Sequence, residues 1–71
     1  MTPQFKSILG ALTQKPQTVV MLMSVAGADY QPLCNIMTAL HGLGVVKRES
    51  IGPTNLWSLT DFGKQLSTQA Q

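Results

Sequence analysis

A single glycine divides the second half of this chain into two kinds of backbone. Upstream of Gly44, the apolar residues Leu33, Ile36, Met37, Leu40 and Leu43 recur at helical spacing. Downstream, Val45-Val46-Lys47-Arg48-Glu49-Ser50 loses that period and reads as a strand. Ile51-Gly52-Pro53-Thr54 is turn material. Asn55-Leu56-Trp57-Ser58-Leu59 then returns as a second strand, with Trp57 and Leu59 on the same side. Thr60 is placed to cap a last helix from Asp61 to about Ser67, where acidic Asp61 suits the positive end of the helix dipole. Thr68 to Gln71 are expected to fray. Helix, glycine, hairpin and helix in that order leave few ways to build one core.

The first half supplies the rest of that core. Phe5, Ile8, Leu9 and Leu12 share one face of a helix predicted from about Pro3 to Gln14. Thr2 is its N-cap, and Pro3 takes the first helical position, where no donor is lost. Lys15-Pro16 interrupts the pattern, because proline disfavours helix in the residue before it. A second helix is expected from near Pro16 or Gln17 to near Ala26, with Val19, Leu22, Met23 and Ala26 inward. Val20, Met21 and Val25 lie off that face, so the helix is apolar nearly all round. Two readings account for this: burial between neighbouring helices, or a surface for self-association or a partner. Gly27-Ala28-Asp29 forms a turn, with Asp29 as N-cap of a third helix from Tyr30 to about Leu43. Gly44 is the residue that stops it.

These elements define an α+β fold, a winged helix-turn-helix. It has a three-helix core, a two-stranded β-hairpin wing and a short C-terminal helix. A single domain spans residues 1–71, with the helix-turn-helix at about 16–43 and the wing at about 45–59. An apolar content of 44% with 11% charged residues supports a real core and argues against disorder. One cysteine permits no intramolecular disulfide and no cysteine metal cluster. The longest uninterrupted apolar run, Val19-Val20-Met21-Leu22-Met23, is too short to span a bilayer, and no apolar signal segment follows Met1. A cytoplasmic protein is expected.

The third helix carries the functional signal. At about 100° per residue, Gln31, Asn35, Thr38 and Gly42 fall opposite the apolar stripe. Solvated helix faces usually carry Lys and Glu, and neither occurs between Asp29 and Val46. Asn and Gln can pair bidentately with adenine in the major groove, and a Thr methyl can touch the methyl of thymine. Gln31, Asn35 and Thr38 are therefore the candidate base readers. Lys15, Lys47 and Arg48 are candidate phosphate contacts, Thr54 and Asn55 candidate wing contacts, and His41 a candidate hydrogen-bond donor to phosphate. Lys47 and Arg48 point to opposite strand faces. With a net charge of +2, one copy makes few phosphate contacts, and a dimer gains by avidity.

Other chemistry is poorly supplied. Cys34 and His41 flank the polar stripe, but His41 is the only histidine and has no ligand neighbours at metal-binding spacing. Trp57 reads as a core anchor under the wing. Of the three acidic residues Asp29, Glu49 and Asp61, two are helix caps, which removes a paired-carboxylate site. No nucleophile triad, phosphate loop or cofactor motif occurs. No enzyme, metal or cofactor is expected.

The sequence resembles the winged-helix transcription regulators of the MarR- and PadR-like groups. The likeness rests on Leu40, Leu43-Gly44-Val45-Val46 and Lys47-Arg48, then Trp57-Ser58-Leu59-Thr60 with Gly63 three residues on. It covers about Pro16 to Leu66. The resemblance implies that the third helix enters the major groove of double-stranded DNA and that Gly52-Pro53-Thr54-Asn55 is the wing near the backbone. The chain departs from that pattern in having no Arg or Lys at the wing tip, no basic residue in the third helix, and no long flanking helices of the kind through which larger members dimerise. The expected function is a small DNA-binding transcription regulator acting as a dimer. The alternative is a protein-interaction winged helix in which the wing or the third helix docks on a larger assembly without direct DNA binding. The low charge and the apolar Val20, Met21 and Val25, a candidate surface for a homodimer or protein partner, favour it.

Overall fold

The computed structural model describes residues 2–69. In it, α1 spans Pro3–Gln14, α2 Val19–Ala26, α3 Tyr30–Gly42, β1 Val46–Ile51, β2 Thr54–Leu59 and α4 Asp61–Gln69. The expected α+β architecture is present: helices and one antiparallel hairpin. The expectation for Ala70 and Gln71 lies outside the described residues. Thr68 and Gln69 are the last turn of α4 rather than frayed chain.

The helix starts follow cap chemistry. Thr2 accepts from the Phe5 amide, with Pro3 just inside α1. The start of α2 differs from expectation. Lys15 is extended and Gln17 pairs with Trp57 as an isolated antiparallel bridge, so Thr18 becomes the N-cap and accepts from the Met21 amide. Gln17 is thus a one-residue third strand on the free edge of β2, held by reciprocal backbone bonds of 2.9 and 2.8 Å to Trp57. Its side chain is buried and donates to the Ala11 carbonyl at 2.6 Å, tying the end of α1 to the sheet. Asp29 holds the N-cap position of α3 but makes no side-chain cap bond, unlike the expected cap.

The core is the set of stripes seen in the sequence: Ile8, Leu9 and Leu12 from α1, Leu22 from α2, Leu33, Met37 and Leu40 from α3, with Val45, Val46, Trp57 and Leu59. Each fully buried large aliphatic side chain contributes roughly 1.5–3 kcal/mol. Leu43 is the exception, being 70% exposed where the stripe put it inward. The helical period ends one residue earlier. Gly44, at φ 78°, donates to the His41 carbonyl, and the Val45 amide donates to Leu40, which turns the chain before Leu43 can face the core.

The hairpin pairs Val46 with Leu59, Lys47 with Ser58, Arg48 with Trp57 and Ile51 with Thr54. The turn is therefore only Gly52-Pro53, with Gly52 at φ 61°, as a glycine-first two-residue hairpin turn requires. At the other end, Thr60 closes the fold. Its amide donates to the Val45 carbonyl, its hydroxyl faces the Gly44 and Val45 carbonyls, and it accepts from the Gly63 amide. Gly63 lies so close to the Val45 carbonyl that a Cβ there would collide with it.

Candidate nucleic-acid interface

The α3 face built from Gln31, Asn35 and Thr38 is exposed along its length. Leu33, Met37 and Leu40 are buried on the opposite side and fix the rotation of the helix. Gln31 Nε2 donates to Asn35 Oδ1 at 3.2 Å, one turn along. That bond orients the Asn35 amide. Its Nδ2 protons remain as donors, and Oδ1 keeps a second lone pair, the set that adenine N7 and N6 require. Asn35 thus offers both a donor and an acceptor on the exposed face of α3, held by the bond from Gln31.

The C-terminal end of α3 meets the wing at Trp57, which is only 5% exposed. The His41 ring stands edge-on to Trp57 at 6.1 Å and 81° between planes. The Arg48 guanidinium lies 5.9 Å from the same ring. Exposed His41 and Arg48 are therefore brought together against one buried indole, beside the polar face. Trp57 Nε1 is the one buried side-chain polar atom without a partner among the described residues. As expected, Trp57 is a core anchor.

Further along the hairpin, Ser50 donates to Asn55 Oδ1 at 3.1 Å. Thr54 and Asn55 line a shallow groove of about 230 Å³ with Thr18 and Val20 at the start of α2 and Tyr30 at the start of α3. The wing tip thus lies beside the helix-turn-helix. At Tyr30, the Cys34 side chain one turn along holds the phenol above its ordinary pKa, through a hydrogen bond first and charge second.

Lys15 and Lys47 are placed elsewhere. Strand alternation puts Lys47 on the hairpin face opposite Arg48. There Lys47 and Lys15 line a separate cleft together with Lys64. No residue of α3 and none of the wing tip reaches it. Sequence reading missed this convergence, because the lysines come from three distant segments. It also missed the Gln17 bridge, whose only local signal is the extended bias around Pro16. Val20, Met21 and Val25 are 68%, 40% and 43% exposed, so α1 and α3 do not bury them.

No protein-family model matches the sequence, and no curated protein does so. Solved structures do match in fold. The transcriptional regulator BldR from Sulfolobus solfataricus is 20% identical, with a TM-score of 0.88 over 99% of this chain and 52% of that one. The adhesin competence repressor AdcR from Streptococcus pyogenes is 15% identical, with a TM-score of 0.88 over 99% of this chain and 53% of its own. The transcriptional repressor CouR, solved bound to a 23-mer DNA duplex, is 23% identical, with a TM-score of 0.88 over 99% of this chain and 52% of its own. This chain spans about half the length of these proteins. The fold is a winged helix, as the sequence resemblance implied.

Proposed function

We propose that this chain is a DNA-binding transcription regulator that lays α3 in the major groove. The observation that carries this reading is the exposed, uncharged face of Gln31, Asn35 and Thr38, with Asn35 oriented by its neighbour. Asn35 and Gln31 would read adenine and Thr38 a thymine methyl. Arg48 and His41 would hold phosphates at the end of α3, and Thr54 and Asn55 would lie along the backbone. The regulators that share the fold, one of them crystallised on duplex DNA, support this reading. Two copies would gain by avidity what a single copy lacks in charge. A role on DNA fits the cytoplasmic expectation, and no helix among the described residues is long and apolar enough to cross a membrane.

The test is chemical-shift mapping with duplex DNA at low salt, repeated with Asn35→Ala. Shifts centred on α3, and sequence preference lost in the variant, are the expected results. If duplex DNA leaves α3 unmoved at low salt, the reading fails. A second reading is favoured by the exposed Val20, Met21 and Val25: a module that docks on another protein, or on a second copy, through α2. Substitution of those residues would then abolish association and leave any DNA binding by a single copy intact.

A further inference from the structure

We propose that the cleft between the end of α1, the hairpin and α4 binds a small polyanion carrying clustered phosphates. The cleft is a half-open groove of about 530 Å³, within the roughly 300–1,000 Å³ usual for small-molecule sites. It gathers Lys15, Lys47 and Lys64, three of the five cations in the whole chain. Among the described residues, its lining contains no carboxylate. Asp61, one turn before Lys64 on α4, is outside it. On a chain with a net charge of only +2, three cations thus line one cleft, and the other two, Lys6 and Arg48, lie outside it.

The residue types select the ligand. Lysine is a compact point charge with three rotatable donors, whereas planar forks for one carboxylate would call for arginine. A lone carboxylate can engage one ammonium well; clustered phosphate oxygens can engage ammoniums arriving from three directions. Thr13 and Thr68 already donate their hydroxyl protons to the Gly10 and Lys64 carbonyls. That leaves Ser58 and the buried Ser67 as hydroxyl donors in the lining. Leu12 and Leu59 complete an apolar floor against which the uncharged part of a phosphorylated molecule can rest. The site shares no lining residue with α3 and does not rest on the DNA reading.

The test uses the isotope-labelled full chain titrated at fixed ionic strength with inorganic tripolyphosphate, with orthophosphate, and with duplex DNA. Tripolyphosphate is expected to shift Lys15, Lys47, Ser58 and Lys64 and to bind about tenfold more tightly than orthophosphate, because it engages more than one ammonium. Lys15→Gln and Lys64→Gln should each weaken it about two- to fivefold, the size of an exposed ion pair. Lys6→Gln removes the same charge from outside the cleft and should leave the affinity unchanged. Equal weakening by Lys6→Gln, or shifts scattered over the surface, would reduce the effect to diffuse attraction and overturn the proposal. Duplex DNA that shifts the same cleft residues and is displaced by tripolyphosphate would assign the cleft to a nucleic-acid backbone, and would overturn it too. Duplex DNA that shifts α3 alone, or nothing, supports a separate small-ligand site.

Discussion

Gly63 shows how much one residue can decide. A methyl group there would meet the Val45 carbonyl, and that carbonyl cannot retreat, because it accepts from the Thr60 amide at 3.1 Å. Gly63→Ala should therefore destabilise the fold by about 3 kcal/mol, the upper end of overpacking costs, read as a shift of the urea midpoint. Thr60→Val keeps the shape but removes the hydroxyl that caps α4, and should cost about 1 kcal/mol. The caps of α2 and α3 give an internal contrast. Thr18 makes its cap bond and Asp29 does not. Thr18→Ala should cost about 1 kcal/mol, and Asp29→Ala only a few tenths, in the same unfolding experiment. The residue types at all four positions were visible in the sequence. Their consequences were legible only where the partner is local, as for Thr60 three residues before Gly63. The reason for Gly63 itself is a carbonyl far back in the chain.

Elements with a strong apolar period were legible almost to their ends, as α1 shows. Their boundaries shifted where a long-range bond competes with local pattern. Pro16 and Gln17 have the sequence of a helix start, yet Gln17 bonds to Trp57 and becomes sheet. Leu43 has the spacing of a core residue, yet the turn at Gly44 leaves it in solvent. The apolar excess of α2 was legible too, but whether it was buried could not follow from one helix alone. Its neighbours had to be placed before Val20 and Val25 proved exposed. Replacing Val20, Met21 and Val25 together by Gln should change stability by about 0.5 kcal/mol or less per site, since little area is lost from the core. Sedimentation of the same variant should show any dimer of the parent chain reduced to monomer. A dimer that persists in the variant would remove α2 as the surface of self-association.

At the scale of the whole molecule, four of the five cations fall in two places, and that separation decides how DNA binding must respond to salt. Arg48 lies at the end of α3 against Trp57, whereas Lys15, Lys47 and Lys64 share a cleft with no α3 residue in its lining. The sequence made every one of these cations visible but could not sort them, because the sorting depends on strand faces and on how α1 and α4 approach the hairpin. Each neutralised phosphate adds about −0.9 to the slope of log K against log salt on duplex DNA. If only the α3 side touches DNA, Arg48 gives about one phosphate per copy, and a slope near −1. If the cleft lysines also follow the backbone, their three charges steepen it to about −4 or beyond. A shallow slope, unchanged in Lys64→Gln and reduced by about one in Arg48→Gln, is the expected outcome of fluorescence titrations across a salt series. A steep slope that Lys64→Gln makes shallower would instead merge the two charged places into one nucleic-acid surface.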